Sequence, residues 1–215
     1  MVKKSGLIFS AIVLLFASST AFADTLWSNG AVSGNTGRCD WNSPNCGSTG
    51  WTVYDDFKLS SNSTITGFTY NDYLAWGSWN DYTGTNWTLY YNQSAPWSGT
   101  PIASGTMAGT LTPGDSGSEL VSLLGLNIGA APGYYILGFQ NNFSGDTATT
   151  RAGAAGNGLI GYFQQDNLGT YHFDLAGDTA FSVLGSAATP EPSSLLMLGS
   201  GLAGLAAALR RKLVA

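Results

Sequence analysis

A strict two-residue alternation of apolar and polar side chains limits this chain to extended strands. In the run Trp-Thr-Val-Tyr-Asp-Asp-Phe-Lys-Leu at 51–59, Trp51, Val53, Phe57 and Leu59 fall on one face, with Thr52, Tyr54, Asp56 and Lys58 opposite. Residues 86–92 repeat the pattern with Trp87, Leu89 and Tyr91. Further strand-like runs cover 63–70, 133–139, 159–165, 170–175 and 180–185, with Gly67 a bulge position in the first. Clusters of Gly, Pro, Ser, Asn and Asp separate them, including the stretch 144–158. The spacing at 119–129 suits a short helix or a strand, and Gly125 argues for strand. No helix-length amphipathic segment interrupts the series. Many short strands at near-regular intervals predict an all-β, jelly-roll-like β-sandwich over residues 24–187.

The two ends of the chain are of a different kind. Lys3 and Lys4 precede an apolar run at 6–16, and Ala21-Phe22-Ala23 forms a small-x-small cleavage site before Asp24. Residues 1–23 are therefore a secretory signal peptide, cut between Ala23 and Asp24. The mature body is acidic: Arg38, Lys58 and Arg151 stand against eleven aspartates and Glu119, a net −9. Nucleic acid is excluded as a partner, because no basic stripe exists to displace counterions from phosphates. Cys39 and Cys46 are the only cysteines. An oxidising compartment favours a disulfide between them across the turn-forming Asn42-Ser43-Pro44-Asn45. In the chain-entropy model such a short loop contributes about 2–3 kcal/mol at most. A metal site would need more ligands than two thiols and a histidine 126 residues further on.

Four features could carry chemistry. Gly114-Asp115-Ser116-Gly117 is the string around the nucleophile of chymotrypsin-like proteases, but His172, the only candidate base, follows the serine instead of preceding it. A Pro-Gly-Asp turn explains the string, and no catalytic residue is assigned. A glycosidase's paired carboxylates do not stand out among twelve acidic residues. Asp55 falls by alternation on the apolar face, where a carboxylate must be hydrogen-bonded, paired or bound to a cation. A structural Ca²⁺ at Asp55 competes with a bulge at Asp55-Asp56, or with capping of loop N–H groups. Finally, Trp76, Trp79 and Tyr82 lie in a loop-like segment rich in Asn, Asp and Gly. Their rings could stack on sugar, making an exopolysaccharide partner one reading and core packing the other.

The end of the chain is the most specific segment. Pro190-Glu191-Pro192 precedes a small-residue-rich apolar run at 195–209 and the basic Arg210, Arg211 and Lys212. Fifteen helical residues span roughly 22 Å, short of the ~30 Å hydrocarbon core. The positive-inside rule keeps the basic end cytoplasmic, so the body lies outside a transient inner-membrane anchor. Residues 188–215 resemble the PEP-CTERM sorting signal of Gram-negative bacteria, with Pro-Glu-Pro, short helix and basic end in order. The resemblance implies processing near Pro190 by an exosortase, a membrane cysteine transpeptidase, in a species that makes exopolysaccharide. The body is similar to β-rich domains that carry this tail, through the stretches 54–70, 131–139 and 174–185. That likeness implies no activity.

The sequence thus predicts a non-enzymatic exported protein, sorted through its C-terminus to the cell surface or extracellular matrix. A carbohydrate-binding module is the alternative, and a secreted hydrolase the second.

Overall fold

The computed structural model describes residues 23–40, 50–96, 99–156, 163–169, 172–174, 177–188, 199 and 201–202. The described body is built of strands, β1 (Asp24–Ser28), β2 (Val32–Cys39), β3 (Trp51–Leu59), β4 (Ser63–Trp76) and β5 (Tyr82–Tyr91) among them. There follow β6 (Ala103–Met107), β7 (Thr110–Pro113), β8 (Glu119–Ala130), β9 (Gly133–Phe143) and β10 (Ala148–Ala154). The series closes with β11 (Phe163–Asp166), β12 (His172–Asp174), β13 (Asp178–Thr179) and β14 (Phe181–Ala187). Two 3₁₀ turns, Trp79–Asp81 and Asp115–Gly117, sit between strands.

The strands form two antiparallel sheets packed as a sandwich. One runs β12-β11-β3-β9-β5-β6. The other is organised by the 14-residue β4, which pairs with β8 over Ser63–Asp72, with β14 over Ser63–Tyr70 and with β10 over Asp72–Trp76. Strand β1 lies outside β14, β7 outside β8, and both β2 and β13 pair with β10. The chain crosses between the sheets at most of its connections, and strands of both sheets add apolar side chains to one shared interior. The interior is aromatic: Phe57 stacks on Tyr135, Tyr70 stacks on Phe139, and Phe68 packs against Trp87 and Phe139. Ile65, Leu89, Val121, Leu123, Leu137 and Val183 fill the space between them. Burial of such side chains is the main force holding the sheets together.

Several expectations are resolved here. Residues 119–129 belong to a strand, β8, not a helix. Gly125 takes φ 90°, a conformation glycine adopts without strain, close to a register shift in the pairing of β8 with β4. The predicted irregularity near Gly67 is present, because the pairings of β4 with both β8 and β14 shift between Ile65 and Gly67. Arg151, which the sequence places in a long turn cluster, lies in the middle of β10.

Alternation along β3 is correct, but of its polar face Lys58 alone is exposed. Tyr54 and Asp56 are as buried as Val53 and Phe57. A second apolar layer explains this. Tyr54, Tyr90, Ile136, Phe163 and Ala95 cluster away from the main interior, so the middle of this sheet is covered on both faces.

Candidate functional site

Antiparallel pairing gathers both ends of the body at one pole of the sandwich. Asp24, the first residue after the expected signal cleavage, pairs with Gly185 of the last strand. Ala187 pairs with Ser63, and the N–H of Ala188 donates to the carbonyl of Asn62 at 2.8 Å. The β3–β4 and β8–β9 turns reach the same pole, since Leu59 pairs with Gly133 and Ser63 with Ala130. A hollow of about 280 Å³ opens there, lined by Asp24, Thr25, Leu26, Leu59, Ser60, Ser61, Ser63 and Ala187. Ala23 is exposed at the head of β1. Ala21, Pro190, Glu191, Pro192, Arg210, Arg211 and Lys212 lie outside the described residues. Of the expected tail helix, residues 199 and 201–202 are described; they are helical and exposed. Among the described residues no helix is long and apolar enough to cross a membrane.

Asp55 points inward from β3, 2% exposed. Its pairing with β9 runs without a register shift from Val53 to Leu59, so no bulge turns it outward. Its carboxylate instead fastens the two sheets. Oδ2 accepts the N–H of Thr179 at 2.5 Å, the Thr179 hydroxyl at 2.8 Å and Asn29 Nδ2 at 3.1 Å. Oδ1 accepts the N–H of Asp56 at 2.7 Å. Burial pushes this carboxyl up to about 8, against the donors of Thr179 and Asp56, which favour the anion. Carboxylate oxygens of Asp55, Asp56 and Asp178 lie within 4.8 Å of one another. Such oxygens suit a hard cation, but the position of Asp55 is already accounted for by capping.

The aromatic segment divides. Tyr82 packs edge-on with both Trp79 and Phe143, Trp79 lies tilted against Phe143, and Trp79 and Tyr82 lean on the main interior. The Tyr82 hydroxyl hydrogen-bonds Thr85 Oγ1 at 2.7 Å and accepts the N–H of Gly109 at 3.2 Å. Trp76, at the end of β4, is 44% exposed. The structure therefore does not gather these three rings on one open surface.

The Gly-Asp-Ser-Gly string forms the 3₁₀ turn between β7 and β8. Ser118 locks it, donating its hydroxyl to the Asp115 carbonyl at 2.7 Å. Ser116 is exposed on the turn, while His172 belongs to β12 in the other sheet. Cys39 ends β2, half-buried, and Cys46 lies outside the described residues.

The strongest electrostatic feature was not legible as a site in the sequence. Arg151 is 1% exposed and reaches Asp40 Oδ2 at 3.0 Å and Asp72 Oδ1 at 3.3 Å. Its guanidinium lies 4.3 Å over the Tyr70 ring and 5.1 Å from that of Phe139. Asn141 donates to Asp72 Oδ2 at 2.6 Å and accepts the Tyr70 hydroxyl at 2.6 Å. Burial raises the Asp72 carboxyl well above the usual range; Arg151 opposes this and Asp40 adds to it. The available signal was an arginine in a body with only two other basic residues, yet nothing local pairs it with Asp40 or Asp72.

The family described as the PEP-CTERM protein-sorting motif matches residues 188–212, starting one residue beyond β14. No curated protein matches the chain. The motif marks an exported protein handled by an exosortase-type sorting system.

Proposed function

We propose that the chain is a non-enzymatic surface or matrix protein whose compact body is released from a transient inner-membrane anchor by processing near Pro190. One observation carries this reading: the sorting motif starts at residue 188, directly where the folded body ends. Among the described residues the last strand of either sheet is β14, which ends at Ala187. The oxidising envelope would also pair Cys39 with Cys46.

Intact mass of the protein recovered from envelope and from medium tests this. The expected species begins at Asp24, ends close to Pro190 and is two hydrogens lighter than the reduced chain. Removal of the exosortase should leave the chain ending at Ala215. Full-length chain in every fraction of a competent strain would overturn the reading.

A finer reading gives the body an exopolysaccharide ligand. Trp76, 44% exposed at the end of β4, supports it, since indole rings stack on sugar C–H groups. A glycan array separates the two: binding by wild type that Trp76→Ala abolishes supports a carbohydrate-binding module, and no binding by either removes it. Polysaccharide hydrolysis by the purified body would revive the hydrolase.

A further inference from the structure

Four features of the sandwich converge on its tail-bearing pole. The body's first strand starts there and its last strand ends there. The two turns between them, at 60–62 and 131–132, are built of Ser60, Ser61, Asn62, Ala131 and Pro132. Among the described residues 24–25, 60–63, 131–132 and 185–188 of this pole, Asp24 supplies the single acidic side chain. Lys58 stands just above it, its ammonium 5.0 Å from the Tyr134 ring. The opposite pole is acidic: Asp81 and Asp115 lie on its 3₁₀ turns, Glu119 begins β8 and Asp146 follows β9.

The chain leaves little slack below the pole. Six residues, seven Cα-to-Cα steps, separate Ala188 from Leu195, where the apolar run begins. Fully extended they reach at most ~25 Å. The long strand β4 has 14 residues and so spans about 45 Å from pole to pole. Once the tail is inserted, the far pole cannot touch the bilayer unless the body lies on its side, and repulsion between its carboxylates and anionic headgroups opposes that.

From this we propose that the tail-bearing pole, formed by residues 24–25, 60–63, 131–132 and 185–188, is a membrane-facing surface that rests on anionic lipid headgroups before processing. The proposal rests on the reading that residues 195–209 insert. Short tethering supplies a high local concentration, so weak hydrogen bonds from serine hydroxyls and turn amides suffice. The missing carboxylates are as important as the groups present, because each would meet a surface of its own sign.

The test uses the chain from Asp24 to Ala215 bound to vesicles containing phosphatidylglycerol, without any transpeptidase. Flotation first establishes tail insertion. Hydrogen exchange then reads the pole: amides at 60–62 and 131 should exchange several-fold slower on vesicles than in the tail-less chain 24–188. Amides at 115–117 should be unchanged. Ser60→Glu combined with Ser61→Glu should abolish the protection while flotation persists, as should a long Gly-Ser spacer placed after Ala188. Equal exchange on vesicles and in the tail-less chain overturns the proposal. So does protection that develops only when the transpeptidase is added, which would make the enzyme the partner. Failure to float removes the insertion reading itself, a separate result from loss of protection.

Discussion

Arg151 shows how one side chain organises a buried polar interior. It pairs with carboxylates from two places distant in sequence, Asp40 and Asp72, and lies against Tyr70 and Phe139. Removing the guanidinium would strand two carboxyls in a low-dielectric interior. Arg151→Met should therefore destabilise the body by about 3–5 kcal/mol, read by urea unfolding. Replacing Asp40 and Asp72 by leucine in the same variant should recover much of that loss, since the penalty comes from the unpaired charges. Asp55 makes a second prediction at this scale. Its carboxyl is held at about 8 in the fold against an ordinary value of 3.8, so the folded state binds the extra proton between these values. Its contribution is fully present below about pH 4 and is lost as pH rises through about 8. Asp55→Asn should lower stability overall, by loss of the Asp56 and Thr179 caps, but flatten its decline over that window. Melting curves across pH check this. A cation held by Asp55, Asp56 and Asp178 would reverse the trend, and the same titration with millimolar calcium reads that directly.

Strands were the legible part of this protein because a period of two is written in consecutive side chains. Residues 51–59 and 133–139 announce themselves, and their register follows the alternation. What local pattern could not convey is which polar face becomes covered. Tyr54 is buried because Gly138, directly opposite on β9, offers no side chain and the tyrosine ring lies across its bare Cα. That neighbour comes from 84 positions further along the chain. A side chain at position 138 would collide with the Tyr54 ring and with Thr88 Oγ1. Gly138→Val should thus displace Tyr54, open the outer apolar cluster and cost about 1–3 kcal/mol, measured by denaturant unfolding. The Arg151 strand was hidden for a related reason. Residues 148–154 are Ala, Thr, Thr, Arg, Ala, Gly and Ala, with no large apolar side chain to mark a face. Long-range pairing with β2, β4 and β13 makes them a strand. Asp55 lay between these extremes. Alternation located it on the inner face, but its donors at Thr179 and Asn29 come from the far ends of the body.

At the level of the whole molecule, the sorting motif and the fold state one organisation between them. The last described strand ends at Ala187 and the motif match starts at residue 188, so the folded strands and the sorting motif abut in the chain. The address could be read from the sequence because its three parts are contiguous. The geometry of its exit could not, since it depends on Asp24 pairing with Gly185, residues at opposite ends of the body.

The place of β14 within its sheet has a mechanical consequence. It is hydrogen-bonded along one side to β1 and along the other to β4, and the C-terminal segment follows it in the chain. A tug on that segment away from the pole, from a bilayer or from whatever the processed end is joined to, enters the fold through the end of β14. The two ladders then bear the load together, in shear, where an edge strand would peel one bond at a time. A body hung from this strand is suited to staying folded under tension.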